Sequence, residues 1–455
     1  MNVYLLNKSF IKVTLFTLLS VSIGIVVAVA KFESLVLILS LFAVITIGYL
    51  AIKSVHFFLV GYAICILLVP SIEIYGISIH VSVIFFILSI YLFLMRIHKY
   101  RLGLFQFVIL TFLGSVLLSV INSYQYYEMS GVLVSFLSYT RLIEILFPLI
   151  LLSTFEFKVS DVYFYVKKIL FIGFLTCVLG IILFLFQIEM DSKTTIVGGE
   201  VIYRLGGVFK EANSFGHFAA LMALLVSTII MYGKKINYEM KIRNYHLLIY
   251  LFTFLVTVIL TFSRSSILFF IIGLIILFFT NFKLKTTFKI IFISTLIYVI
   301  FSRVSYFQSF IGRLQLTFSN GIQDFNSISG GRLDIWLAGL RSLNDNLILG
   351  LGYRQGGVYD NNYVTFLVEG GVFGVTIFIL FLLSIFIKAL NSVRCNFLSL
   401  FLVASIVGLS IHMTFVDSFT FWQASIILFT FCGILFNVKT KNNNEEGTDE
   451  SCNNT

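Results

Sequence analysis

Residues 363–387 read YVTFLVEGGVFGVTIFILFLLSIFI, twenty-five positions with one charged side chain, Glu369. A helix needs about 20 apolar residues to cross the hydrocarbon of a bilayer, and this run supplies them. The rest of the chain repeats the pattern. Hydrophobic residues fill 59% of the 455 positions and charged residues 11%, against roughly 45–50% and 25% in ordinary soluble domains. Such a composition predicts an all-α, polytopic integral membrane protein.

Outward from this run, apolar segments predict fourteen transmembrane helices, at 13–30, 34–52, 55–70, 77–95, 104–121, 131–153, 166–187, 214–232, 246–262, 265–281, 288–304, 363–387, 396–414 and 418–437. The breaks at 262–265 and 415–417 read as tight hairpins. Short cytoplasmic loops collect Lys and Arg. With the N-terminus inside, 20 basic residues fall on the cytoplasmic side and 10 outside, and Arg141 stays within a span. Both termini are therefore expected in the cytoplasm. Lys8 and Lys12, with Ala28-Val29-Ala30 after the first apolar run, also fit a cleaved leader, but a retained first helix completes the even count. The expected organisation is a single transmembrane domain over 1–438 with external loops at 188–213 and 303–362. The larger loop should contain short helices, and the Asn-, Glu- and Asp-rich tail 439–455 is expected to be disordered.

The net charge of +10 comes from basic residues scattered singly through short loops. That is the signature of membrane topology rather than of a nucleic-acid surface. The five cysteines have no metal-ligand spacing, and neither a metal nor a cofactor is expected.

Chemistry concentrates where polarity returns. Every basic residue in the loop 303–362 is arginine (303, 313, 332, 341 and 354), the side chain whose planar fork grips phosphate bidentately. Four patches stand out on the external side. In YRLGGVFKEANSFG (203–216), Arg204 and Lys210 suit an anion and Glu211 suits a general base, while a plain connector capped by Asn213 or Ser214 is the structural alternative. TFSRSS (261–266) holds Arg264 at the membrane edge, where an arginine faces a partner or a cavity or snorkels. SGGRLDIWLAGLR (329–341) has apolar residues at 333, 336, 337 and 340, the spacing of one helical face. That puts Arg332 in a first helical turn, where free N–H groups favour anions, and offers Trp336 as an interfacial anchor. The fourth patch joins NLILGLG (346–352) and YDNNY (359–363) to EGGVFG (369–374), with Asp360 where the loop re-enters the membrane. Glu369 is an intramembrane carboxylate, functional by default or paired with Arg141, which with Glu144 forms a buried charge set at helical spacing.

In this order the patches resemble the O-antigen polymerase and ligase family of bacterial envelope glycosyltransferases. The resemblance runs through the C-terminal half, and Arg341 and Gly352 also enclose ten residues, similar to an arginine-x10-glycine pattern of these polymerases. The resemblance implies a metal-independent, inverting transfer of a glycan from undecaprenyl diphosphate, at the periplasmic face of the bacterial inner membrane. It implies that Arg264 and Arg332 hold the diphosphate with Arg204 in support, and Arg341 joins them as a candidate. Ligases of the family resemble one another in a His-Asn pair where this chain has Asp360-Asn361-Asn362, so a polymerase acting on lipid-linked repeat units is expected. Glu211 and Asp360 are candidates to deprotonate the acceptor, with His217 a further one, and a polysaccharide co-polymerase is the implied partner. A ligase and a lipid-linked oligosaccharide flippase remain the alternatives.

Overall fold

The computed structural model describes residues 54–69, 72–74, 77–80, 82–100, 102–186, 194–197, 200–232, 239–280, 332–343, 346–354, 359–392 and 397–438. The spans expected at 13–30, 34–52 and 288–304, together with Arg303, Arg313 and the tail 439–455, lie outside these residues.

Helices dominate: α1 Val55–Leu68, α2 Ser82–Arg96, α3 Leu104–Ser123, α4 Met129–Leu152, α5 Val159–Leu185 and α6 Ala212–Tyr232. They continue with α7 Asn244–Leu260, α8 Arg264–Thr280, α9 Arg332–Arg341, α10 Asn362–Asn391, α11 Phe397–His412 and α12 Trp422–Leu435. All but α9 coincide with expected spans, and α9 is the amphipathic helix expected after Gly331. Five of them, α3, α4, α5, α6 and α10, are long and apolar enough to cross a membrane. The chain is an integral membrane protein.

Two short antiparallel hairpins modify the all-α expectation: Ile72–Ile74 pairs with Ile77–Ile79, and Thr194–Val197 pairs with Glu200–Tyr203. Both are rich in β-branched residues and too short for a helix to nucleate cheaply. The helix expected from residue 77 accordingly begins at Ser82. Helix α5 begins earlier than its apolar run because Asp161 Oδ2 accepts the Lys158 N–H at 2.8 Å, closing the first turn.

The chain divides between Leu88 and Ser89 into two compact units. In the first, Phe58, Tyr62 and Phe85 gather with ring centroids 5.8–6.0 Å apart. The second is a helical bundle around α6, which packs against α7, α8, α11 and α12, while α3 lies on α10 and α4 on α12. Helix α6 is apolar all round and almost wholly buried, as a helix surrounded by others must be. Its small Gly216 sits against Thr261 and Ser266, leaving no room for a Cβ.

The N-termini of α6, α8, α10 and α12 share one end with the C-termini of α3, α7 and α11, as the contacts of Ser214 with Gln423, Gly216 with Thr261 and Ser266, Asn362 with Phe419, and Gly352 with Ser123 show. Hydrogen bonds from Leu205 N to Leu260 O (3.0 Å) and from Asn362 N to Met413 O (2.9 Å) fasten that end. The opposite end carries Lys158, Lys167, Lys241, Arg243 and Lys388, and is fastened by Phe157 N to Asn437 O at 3.0 Å.

Candidate functional site

Arg332, the first residue of α9, places its Nε 3.1 Å from Asp360 Oδ2, with the two side chains 24% and 39% exposed. A pair this exposed is worth about 0–1 kcal/mol. It therefore does little for stability, and either group can turn to a ligand at small cost. Arg332 also sits at the positive end of α9, a second source of attraction for an anion.

Three contacts hold this pair in place. Trp336 Nε1 donates to Tyr359 O at 2.7 Å, making the tryptophan a clamp between α9 and α10 rather than a simple interfacial anchor. The Tyr359 ring lies so close to Gly339 that a Cβ there would come within 2.5 Å of it. Beneath them Leu343, Tyr359 and Val368 form a small buried core with Trp336 and Leu351 against it. Asp360 itself has φ +48°, and the turn it makes delivers the chain to Asn361, whose Oδ1 accepts from Tyr363 N at 2.9 Å and Val364 N at 3.2 Å and so caps α10.

A second network lies directly behind. Arg354 Nη1 donates to Asp417 Oδ2 at 2.6 Å. The other Asp417 oxygen accepts from Asn362 Nδ2, and Asn362 Oδ1 accepts from Phe419 N at 3.0 Å. The turn after α11 is thereby locked to the N-terminus of α10 and to the loop before it. Burial opposes the Arg354 charge, but Asp417, Tyr353 and Glu369 outweigh it and raise the guanidinium pKa above the ordinary arginine value.

Helix α10 is broken at Gly371, where φ is +65° and ψ −169°. The segment 346–352 fills the gap. Leu351 N and Gly352 N donate to Val368 O and Glu369 O at 2.8 and 3.0 Å, while Val372 N and Phe373 N donate to Leu347 O and Ile348 O at 2.9 and 3.3 Å. Helix α3 completes the set, with Ser119 Oγ donating to Glu369 O at 2.5 Å and Asn122 Nδ2 to Gly350 O at 2.8 Å. Val368 O, Glu369 O, Val372 N and Phe373 N, four groups at the break, thus find partners, as hydrocarbon requires. Glu369 is 1% exposed, and neither of its carboxylate oxygens has a hydrogen-bond partner among the described residues. The pairing with Arg141 does not occur: Arg141 points outward from α4, and only Glu144 of that expected buried set is buried.

The other candidates form a neighbouring group at the same end. Arg204 Nε donates to Thr261 O at 3.0 Å, tying it to the turn between α7 and α8, and its guanidinium reaches Asn213 Oδ1 at 2.6 Å at the start of α6. Arg264 opens α8 just after that turn, half-buried, and Glu211 precedes α6. Below them His217 is fully enclosed, its ring 4.6 Å from that of His412 and 4.7 Å from that of Phe269. A histidine enclosed this way is a core side chain, out of reach of an acceptor hydroxyl. Arg341 ends α9 and is exposed.

Among the sequence candidates, then, Arg332 and Asp360 meet directly, Arg204, Glu211 and Arg264 lie around the N-termini of α6 and α8, and Arg341 stands at the far end of α9. Sequence reasoning read Arg354 only as one of the loop's arginines and missed Asp417. Asp417 lay in a break of three residues between two apolar runs, and a carboxylate in so short a break was itself a signal.

No curated protein matches the chain. Residues 249–379 match the family model described as O-antigen ligase, a stretch running from within α7 to the middle of α10 that takes in Arg264, Arg332, Arg341, Arg354, Asp360 and Glu369.

Proposed function

We propose that the chain is a polymerase of a surface polysaccharide such as O-antigen, working at the periplasmic face of the bacterial inner membrane with both termini in the cytoplasm. An acceptor hydroxyl on a lipid-linked repeat unit attacks the anomeric carbon of a glycan carried on undecaprenyl diphosphate. The new C–O bond forms as the bond to the diphosphate breaks, with inversion, and the hydroxyl proton passes to a carboxylate. Arginines facing the departing diphosphate stabilise charge that develops only as the bond breaks.

The observation that carries this reading is the Arg332–Asp360 pair. It offers a cation for the leaving group and a carboxylate for the proton, 3.1 Å apart and partly open to solvent, inside the stretch that matches the O-antigen ligase family model. Arg264 and Arg204 support the anion from the adjacent turn, Arg341 from the end of α9, and Glu211 is the second candidate base. Four helix N-termini converge on this end, and their dipoles favour negative charge. The transmembrane domain is read as continuous over 1–438, and a co-polymerase is the expected partner for chain-length control.

A ligase that moves finished polymer to lipid A-core is the second reading, favoured by the description of the matching family model. Asp360, standing where ligases of the resembling family have histidine, favours polymerase. A silver-stained lipopolysaccharide gel from a strain lacking the gene separates the two. Core bearing one repeat unit, restored to a ladder by the wild-type gene, is the polymerase outcome, while bare core with lipid-linked polymer accumulating is the ligase outcome. Lipid-linked single units accumulating on the inner face would contradict both and indicate a flippase.

A further inference from the structure

The segment 346–352 belongs to what the sequence presents as an external loop, yet its geometry is that of a membrane-inserted hairpin. Its carbonyls at Leu347 and Ile348 accept from the N–H groups of Val372 and Phe373. Those two residues stand ten or more positions into α10, roughly 15 Å along it at about 1.5 Å per residue. On the other side, Asn122 and Ser119 of α3 bond the hairpin backbone and the α10 carbonyl beside it, and Ser119 lies one turn, about 6 Å, inside the end of its helix.

The side chains agree with the backbone. Leu347, Ile348 and Leu349 are 58%, 72% and 45% exposed, a concentrated apolar tip. Val372 and Phe373, to which the tip is stitched, head a stripe of exposed apolar residues that runs down α10 through Leu380, Leu383 and Ile387. A stripe of that kind on a spanning helix faces lipid, and the hairpin tip is continuous with its top. Non-helical backbone survives at membrane depth only where protein satisfies its polar groups, and here α10 and α3 supply those partners.

We propose that Leu347-Ile348-Leu349 is a re-entrant tip embedded in the hydrocarbon of the bilayer leaflet on the site side. The lipid contact anchors the chain between α9 and α10, and so fixes the height of Arg332 and Asp360 above the membrane. The proposal stands on hydrogen-bond geometry and exposure, independently of the chemistry assigned above.

The test is spin-label accessibility in nanodiscs on the full-length chain, with its five cysteines replaced and a label at Ile348→Cys. Phe373→Cys serves as the lipid-facing comparison and Arg341→Cys as the water-facing one. The expected result is that oxygen relaxes the label at 348 more than a water-soluble nickel chelate does, as at 373, with the reverse at 341. A label at 348 that follows 341 overturns the proposal. Leu349→Cys gives the same reading if labelling at 348 disturbs folding.

Discussion

The 2.6 Å contact between Arg354 Nη1 and Asp417 Oδ2 joins residues 63 positions apart and ties the turn after α11 to the loop before α10. Asp417 also holds Asn362, two residues from Asp360. A side chain that sequence reasoning passed over thus braces the backbone that presents the candidate base.

Removing one partner of a buried ion pair strands the other, at a cost of about 3–5 kcal/mol when burial is complete. With 24% and 14% of the two side chains exposed, solvent screening reduces this, and Asp417→Ala is expected to cost about 2–3 kcal/mol. Asp417→Asn keeps an acceptor and should recover part of the loss. Thermal unfolding of the purified protein in detergent reads both, and equal loss in the two variants would show that the carboxylate charge alone matters.

Gly370 and Gly371 make opposite predictions although they are neighbours. A Cβ at Gly371 would strike Ile348 O, in a backbone region that side chains rarely adopt, whereas a Cβ at Gly370 meets nothing within 4 Å. Gly371→Ala should destabilise by more than about 1 kcal/mol. Gly370→Ala should be neutral or slightly stabilising, since alanine favours helix by up to about 1 kcal/mol over glycine. Matching unfolding temperatures for the two variants would contradict the hairpin's placement against α10.

Trp336→Phe keeps an aromatic ring in the small core but removes the donor to Tyr359 O. The loss of one hydrogen bond predicts about 1 kcal/mol of destabilisation, together with looser seating of α9 and lower activity. Faster proteolysis between α8 and α10 in this variant checks it, and unchanged protection would show that the hydrogen bond does not hold α9 down.

Arg204 and Arg332 are predicted to behave differently on truncation. Arg204 is engaged with Thr261 O and Asn213, so Arg204→Ala should lower stability and activity together. Among the described residues Arg332 pairs only with the exposed Asp360, so Arg332→Ala should abolish activity with an unfolding temperature close to wild type.

Much of the fold was legible because apolar run length maps directly onto helices, as the boundaries of α3, α7 and α8 show. The hairpins at 72–79 and 194–203 escaped notice because three or four β-branched residues give too short a pattern to separate from a helix end. At the site, Arg332 and Asp360 were readable one by one, but their pairing depends on how α9 folds back onto α10, a contact between distant residues that leaves no local signal. The glycines of 350–352 and 370–371 were readable as turns or close packing. That they fit into one another required the three-dimensional arrangement.

The most direct test of the central claim uses purified protein in nanodiscs with lipid-linked repeat units, comparing wild type with Arg332→Ala and Asp360→Ala and reading products on a gel. The account predicts lipid-linked polymer from wild type and none from Arg332→Ala, with folding intact in both. Polymer formed at the wild-type rate by Arg332→Ala, or only unextended units from a folded wild type, would contradict it.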